Sequence, residues 1–342
     1  MAVFVGINLS HHPETGRPTA DGGVAIAIDG VLRYACAEER VSRSKYDGGF
    51  QRSLHNGLTA LGLTAADIDV VGLVGFGQQV DSQLPDALIE EVRAEVGTHA
   101  RILYCSSHHE GHAWAAIAQL TISDALIVVI DHTGNIIEPA SGEVDDSRAE
   151  QTSYYLWRNE SLELVSRDHD GPGEVGYGRF YSKVTRYVGF GSYHDAGKLM
   201  GLAPFGIAER IGPIPEAYRT VGGSEVTTIT DDIFSEDGLA DLSEWLRAHG
   251  AHRAYLESWP LADITAEGAD LAAWGQRSLE SSVLRRVLPL VREYVPEHVV
   301  VCGGVALNSV LNGVLARELP SKVQIPDSPG DAGLSIGALQ FA

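Results

Sequence analysis

The sequence predicts an α/β protein of two similar lobes, and three observations lead there. Strand-like and helix-like runs recur twice in one order, the second series starts afresh near residue 123, and 44% hydrophobic against 21% charged residues over 342 positions supply material for two cores. The first series, residues 1–122, opens with the apolar runs Val3–Leu9, Gly23–Asp29 and Val31–Ala37. The last two meet at Asp29-Gly30, a dipeptide suited to a tight hairpin. A helical pattern over Gln51–Leu61, a strand over Val70–Phe76, a helix over Pro85–Val96, a strand over Arg101–Cys105 and an Ala-rich helix from about His108 complete it.

The second series, residues 123–342, starts with a strand over Ala125–Asp131 and pairs Ser153–Arg158 with Ser161–Arg167 around Asn159-Glu160. A helix over Gly178–Tyr187 follows. Beyond an irregular stretch come the long amphipathic helix Ala266–Tyr294, a strand over Val299–Cys302, a helix over Ala306–Arg317, a strand over Lys322–Ile325, and a last helix from Asp331 that is expected to pack back on the first lobe. The order is βββαβαβα both times. Duplicated units of this kind facing each other over a central cleft are the arrangement of the actin-like/Hsp70-like (ASKHA) fold. Residues 207–260, rich in Gly, Pro and acidic side chains, interrupt the second series and read as a surface insertion able to cap the cleft.

Charge excludes several classes of partner. Acidic residues outnumber basic ones 46 to 25, and a net charge of −21 with no local basic patch repels nucleic acid and anionic membranes. The start, Met-Ala-Val-Phe-Val-Gly, has no basic n-region, and no apolar run approaches a membrane span of about 18 residues. A cytoplasmic location is expected. Cys36, Cys105 and Cys302 sit in apolar, strand-like contexts without the spacing of a zinc or redox site, and are expected to be reduced core residues.

The most informative stretch is Ser107-His108-His109-Glu110-Gly111-His112-Ala113-Trp114-Ala115-Ala116. On a helix, His108 and His112 share a face with Cβ atoms about 6 Å apart, a spacing at which two imidazoles can hold one metal ion. The positive end of the helix dipole should keep both rings neutral. Gly111 between them costs about 1 kcal/mol in a helix, so a close approach of ligand or backbone is expected there. The zinc-protease motif does not apply, because His109 stands where that motif needs Glu. Three turns after strands are phosphate-loop candidates: Asn8-Leu9-Ser10-His11-His12, Asp131-His132-Thr133-Gly134-Asn135, and Gly303-Gly304-Val305-Ala306-Leu307-Asn308, where a helix right after the glycines would aim its dipole at an anion.

From end to end the chain resembles the Kae1-like catalytic domain of the O-carbamoyltransferases, the tobramycin and nodulation enzymes. The match runs through Gly6 to His12, Ala37-Glu38-Glu39-Arg40-Val41-Ser42-Arg43, Lys45 with Gly48-Gly49-Phe50, and the His108 to Ala116 stretch. It continues through Tyr181-Ser182-Lys183-Val184-Thr185, Gly197-Lys198-Leu199-Met200-Gly201-Leu202-Ala203-Pro204-Phe205-Gly206, Gly303 to Asn308, and Gly330-Asp331-Ala332-Gly333-Leu334. Gly197-Lys198 lacks the upstream glycine of a Walker loop, so a generic P-loop reading fails.

The resemblance implies a metal site of His108, His112, Asp131 and Asp331 with iron (Fe2+) as the ion, although this ligand set accepts zinc (Zn2+) or manganese (Mn2+) too. It implies carbamoyl-adenylate, an ATP-derived nucleotide, as donor, with Asn8, Ser10, Lys45, Gly134, Asn135, Gly303, Gly304 and Asn308 as its contacts. Lys198 would neutralise phosphate. His11 or His12 would take the proton of a small-molecule acceptor hydroxyl or amine, in natural-product biosynthesis. The chain departs from the family at Asp131-His132 and Asn135, where Asp-Gly is usual, and at Tyr46 and Gln51, which replace His and Pro. Full-length relatives carry a second, YrdC-like domain that makes the adenylate. Nothing in these 342 residues corresponds to it, so a YrdC-like partner protein in trans, an excised domain or a changed chemistry is expected. Two other readings stand beside this one: a tRNA threonylcarbamoyl-transferase-like enzyme, opposed by the acidic charge, and a non-catalytic nucleotide-binding partner of another carbamoyltransferase, opposed by the retained tetrad.

Overall fold

The structure is a computed structural model that describes residues 1–10, 20–76, 78–138, 148–169, 176–211, 218–221, 224–227 and 266–342. His11, His12 and most of the expected insertion at 207–260 lie outside the described residues.

Two sheets of matching topology form the frame. In the first, β1 (Val3–Ser10) is central, antiparallel to β2 (Gly23–Ile28) and parallel to β4 (Val70–Phe76); β3 (Val31–Ala37) and β5 (Arg101–Cys105) lie outside, in the order β3-β2-β1-β4-β5. In the second, β6 (Asp124–Ile130) is central, antiparallel to β8 (Arg148–Arg158) and parallel to β12 (His298–Cys302). There β9 (Ser161–His169) pairs with β8, and β13 (Lys322–Gln324) with β12. Strand for strand, β1, β2, β3, β4 and β5 correspond to β6, β8, β9, β12 and β13. This is the two-lobed, actin-like α/β fold that the repeated order predicts.

Local chemistry explains the hairpins. Asp29 and Gly30 have φ of 50° and 77°, and Asn159 and Glu160 have φ of 55° and 58°. Two successive left-handed residues match the right-handed twist of the strands that they join. Asn tolerates that conformation because its side chain can bond locally, whereas Glu160 has no such excuse and is held by the pairing of β8 with β9.

The helices are α1 (Glu38–Ser42), α2 (Gln51–Leu61), α3 (Asp86–Val96), α4 (His108–Gln119), α5 (Tyr177–Tyr187), α6 (Ala196–Leu202), α7 (Ala266–Tyr294), α8 (Ser309–Glu318) and α9 (Leu334–Phe341). Three small strands were not expected: β7 (Ile136–Glu138), which pairs with β8, and the hairpin of β10 (Tyr218–Val221) with β11 (Ser224–Thr227). One boundary is a correction. The helix expected from Ala306 begins at Ser309, because residues Gly304–Leu307 form a 3-10 turn and Asn308 caps the helix, its Oδ1 accepting from the Leu311 N–H at 3.0 Å.

The lobes exchange helices. From the first series, α4 packs Ala113 and Ala116 on Ile127, Val129, Val300 and Cys302 of the second sheet. From the second, α9 lies on β1, β4 and α4, with Leu334 and Ala338 against Val74 and Cys105. Glycines make this approach feasible: a Cβ at Gly337 would stand 2.1 Å from the Gly111 carbonyl oxygen, and one at Gly72 would stand 2.0 Å from that of Ala338. At Gly111 itself a Cβ would stand 2.7 Å from Val74 Cγ1 and 3.2 Å from Leu334 Cδ2, so the histidine helix makes room there for side chains rather than for the ligand or backbone expected from sequence. Of the cysteines, Cys105 and Cys302 are buried as expected but Cys36 is only half-buried, and all three are free. No described helix is long and apolar enough to cross a membrane.

Candidate metal centre

Helix α4 begins at the sheet edge because Ser107 caps it, its Oγ accepting from the Glu110 N–H at 3.0 Å. His108 and His112 then stand one turn apart, with ring centroids 4.9 Å apart and planes at 84°. Asp131 directly follows β6, and Asp331 opens the 3-10 turn before α9. The topology thus brings residues from both series to one point. His112 Nε2 is 3.0 Å from Asp131 Oδ2 and 3.3 Å from Asp331 Oδ1, while His108 Nε2 is 3.3 Å and 3.6 Å from the same oxygens. One donor atom from each residue lies within 4.8 Å of the others.

The carboxylate of Asp131 divides its work. Its Oδ1 accepts from its neighbour His132 N–H at 2.7 Å and from Gly304 N–H at 3.3 Å, leaving Oδ2 to face the imidazoles. That accounts for the two glycines: a Cβ at Gly304 would sit 2.9 Å from Asp131 Oδ1, and Gly303, with φ of 86°, would place one 2.4 Å from the Ile130 carbonyl oxygen. The Gly303 N–H donates to the Pro329 carbonyl at 2.8 Å. With the following helix starting only at Ser309, no helix dipole points from Gly303-Gly304, contrary to the expectation from sequence.

Burial, carboxylates and imidazoles compete here. Burial opposes a charged His108, but the Asp331 and Asp131 carboxylates outweigh it and push the ring up to about 10. This overturns the expectation that the helix dipole keeps the pair neutral: two facing carboxylates exceed one partial charge. Burial and the Asp131 charge oppose ionisation of Asp331, yet the two histidines bring it down to about 2. Asp21 is pushed up to about 6 by burial and by the charges of Asp331, Glu39 and Asp131. Two carboxylates face two imidazole nitrogens, a donor set that fits a divalent cation. The Nδ1 atoms of both rings are buried without partners among the described residues, so α4 and the edge of Phe76, 5.5 Å from His108, set the ring planes.

Glu150, which the sequence did not single out, ties these elements together. Fully buried on β8, it accepts from Ser107 Oγ at 2.6 Å, Asn135 N–H at 3.0 Å and His109 N–H at 3.4 Å, and pairs with Arg167 at 2.9 Å. Burial would raise its pKa, but His109, Arg167 and these bonds hold it below the usual carboxylate range. It joins the start of α4 to the turn after β6. His109 is held neutral by burial, down to about 4, and its Nδ1 meets Ser153 Oγ at 2.8 Å.

The other expected residues divide into two groups. Asn8 is buried at the end of β1 and donates through Nδ2 to the carbonyls of Asp21 at 2.7 Å and Asp331 at 3.2 Å. Asn135 is buried and ties the lobes, donating to the Ser106 carbonyl at 2.7 Å and that of Gly75 at 3.2 Å. Gly134 is packed against Glu150 and His109, and Ser10 is buried beside Asn8. Asn308 bonds Gln276 Oε1 at 2.9 Å as well as capping α8. The two lysines are outside this packing: Lys45 is exposed, 4.6 Å from the Tyr46 ring centroid, and Lys198 pairs with Asp195 at 2.7 Å with its side chain 63% exposed.

Fold and cluster together define a two-lobed, actin-like protein with two histidines from the first series and two aspartates from the second converging at one point. A family model for the carbamoyltransferase N-terminus matches residues 97–339, a span holding all four, and the chain belongs to that family. An uncharacterised protein of Synechocystis sp. is 26% identical over 375 residues, covering 99% of this chain and 56% of that protein. One of Methanocaldococcus jannaschii is 24% identical over 324 residues, covering 92% and 53%. The chain spans about half the length of these curated relatives. Among solved structures, full-length HypF in a phosphate- and nucleotide-bound form superposes with a TM-score of 0.56 at 12% identity, over 99% of this chain and 46% of that one. HypF of T. kodakarensis gives 0.51 at 13%, over 99% and 47%. At such identities the likeness concerns the fold alone.

Proposed function

We propose that this chain transfers a carbamoyl group from carbamoyl-adenylate to a hydroxyl or amine of a small molecule, at a metal ion held by His108, His112, Asp131 and Asp331. The convergence of these four residues within a carbamoyltransferase-family chain is the observation that carries the reading. Iron is the ion that the family resemblance implies, and zinc or manganese would suit the same donors. A cation here supplies Lewis acidity and a counter-charge for phosphate.

The protein's own part is to position and to move one proton. The acceptor oxygen or nitrogen bonds to the carbamoyl carbon, the bond from that carbon to the phosphate oxygen breaks, and AMP leaves with the electron pair. Asn8 holds the Asp21 and Asp331 backbones together, so the end of β1 and the cluster form one unit. His11 or His12 takes the acceptor proton, with Asp21, pushed up to about 6, as the described group suited to share it near neutral pH. Lys198, released from Asp195, meets phosphate. The donor comes from a YrdC-like unit, in the same polypeptide or in a separate protein. Synthetic carbamoyl-adenylate with a panel of hydroxyl and amine acceptors tests the reading: metal-dependent AMP release with a carbamoylated product supports it, and unaltered donor with every acceptor and metal refutes it.

A further inference from the structure

One contact between the lobes lies outside the cluster itself. The Tyr46 ring, from the segment between α1 and α2, stacks on the His194 ring, from the turn between α5 and α6, with centroids 3.8 Å apart and planes at 13°. Both feet are anchored. Tyr46 has φ of 59°, a left-handed conformation that a bulky residue adopts only when its surroundings impose it, and its N–H donates to Glu39 Oε2 at 3.0 Å. His194 sits in a tight turn, its N–H donating to Ser192 Oγ at 3.2 Å, and Asp195 beside it holds Lys198.

The Tyr46 foot leads back to the cluster through hydrogen bonds. On one side the Asp47 carbonyl accepts from the Gly22 N–H at 2.9 Å, and the preceding residue, Asp21, is bound through Asn8 to Asp331. On the other, His194 lies within electrostatic range of His132, the residue after Asp131. The contacts make a path that starts at Asp331, runs through Asn8, Asp21, Gly22, Asp47 and Tyr46, and crosses to His194. The stack is where that path passes to the second lobe, and stacked aromatic rings separate and re-form at small cost. Lys45, with Nζ 4.6 Å from the Tyr46 centroid, adds a cation to the same rim.

We propose that Tyr46 and His194 form a clasp across the cleft mouth, which must open for a ligand to reach or leave the cluster, and whose shape selects the acceptor. The inference rests on the cluster being the working site. Tyr46 stands where the resembling family commonly has His, so the clasp also gives this chain an entrance of its own.

The test pairs cross-linking with metal release. In the double variant Tyr46→Cys/His194→Cys, a short bismaleimide should join the two positions in high yield in the metal-free protein, with the wild type as the background control. After iron loading, Tyr46→Ala and His194→Ala should speed metal loss to excess chelator about two- to tenfold, the worth of one aromatic stack, and Tyr46→Phe should restore the wild-type rate. The cross-linked protein should release metal at least about tenfold more slowly, as a locked lid does. Failure to cross-link, or release from the cross-linked protein at the wild-type rate, overturns the clasp. A wild type that holds no metal speaks against the proposed metal site instead, and the cross-linking yield alone then decides the clasp.

Discussion

His108 ties the site's chemistry to a measurable proton. Its pKa of about 10 in the metal-free protein means that the ring is charged at neutral pH, balanced by Asp131 and Asp331. Metal needs neutral rings, and against burial the carboxylates raise His112 as well, so loading at pH 7 to 8 should expel at least one proton per ion, and apparent affinity should rise with pH. Calorimetry in buffers of different ionisation heat reads this directly, and metal uptake without proton release would contradict it. The same raised pKa stabilises the metal-free fold fully below the unfolded value of 6.5, and that contribution fades as pH rises through about 10. Glu150 works in the opposite sense. Its lowered pKa contributes stability above the unfolded carboxyl value of 4.5, which is lost as pH falls through the folded one. Glu150→Ala, which leaves the Ser107 hydroxyl and the Asn135 N–H without their shared acceptor, should cost about 1–3 kcal/mol in denaturant unfolding; a change under about 1 kcal/mol would remove its role as a tie. The histidine spacing made His108 and His112 legible in the sequence. Glu150 was not, because it lies in the polar run Glu143-Val144-Asp145-Asp146-Ser147-Arg148-Ala149-Glu150, which has no period, and its partners arrive only through strand pairing.

At the scale of elements, the contact between α9 and α4 fixes where Asp331 sits. Gly337→Ala would ordinarily favour a helix by about 1 kcal/mol. Here the added methyl meets the Gly111 carbonyl at 2.1 Å, so the change should destabilise by about 1–3 kcal/mol and weaken metal binding by moving the residues before α9. Stabilisation with unchanged metal affinity would show the seam to be loose. Strand order and both hairpins were readable because Asp29-Gly30 and Asn159-Glu160 punctuate clean apolar runs. The start of α8 was misplaced although its signal was present: Asn308-Ser309 is a cap followed by a first turn, and the Gly303-Gly304 turn drew attention away from it. Those glycines are explained by the approach of Gly303 to Ile130 and of Gly304 to Asp131.

For the whole molecule, the repeated βββαβαβα order was the strongest signal, since one unit leaves a sheet face and a helix that only its copy can cover. The distribution of the four cluster residues follows from it: the first series supplies the histidines and the second supplies the aspartates. If donor synthesis belongs to a separate YrdC-like unit, the pure chain given carbamoyl phosphate and ATP should release no pyrophosphate. Adding a YrdC-like protein and the acceptor should then give product, with a yield that falls as salt rises if the −21 chain docks a basic face. Pyrophosphate release by the chain alone would overturn that division of labour.

Elemental analysis after anaerobic iron loading and desalting shows whether His108, His112, Asp131 and Asp331 hold one metal ion. The wild type should retain one ion per chain, and His112→Ala and Asp331→Ala should each retain far less while keeping the wild-type circular dichroism spectrum. Equal metal content in the wild type and both folded variants would contradict the account.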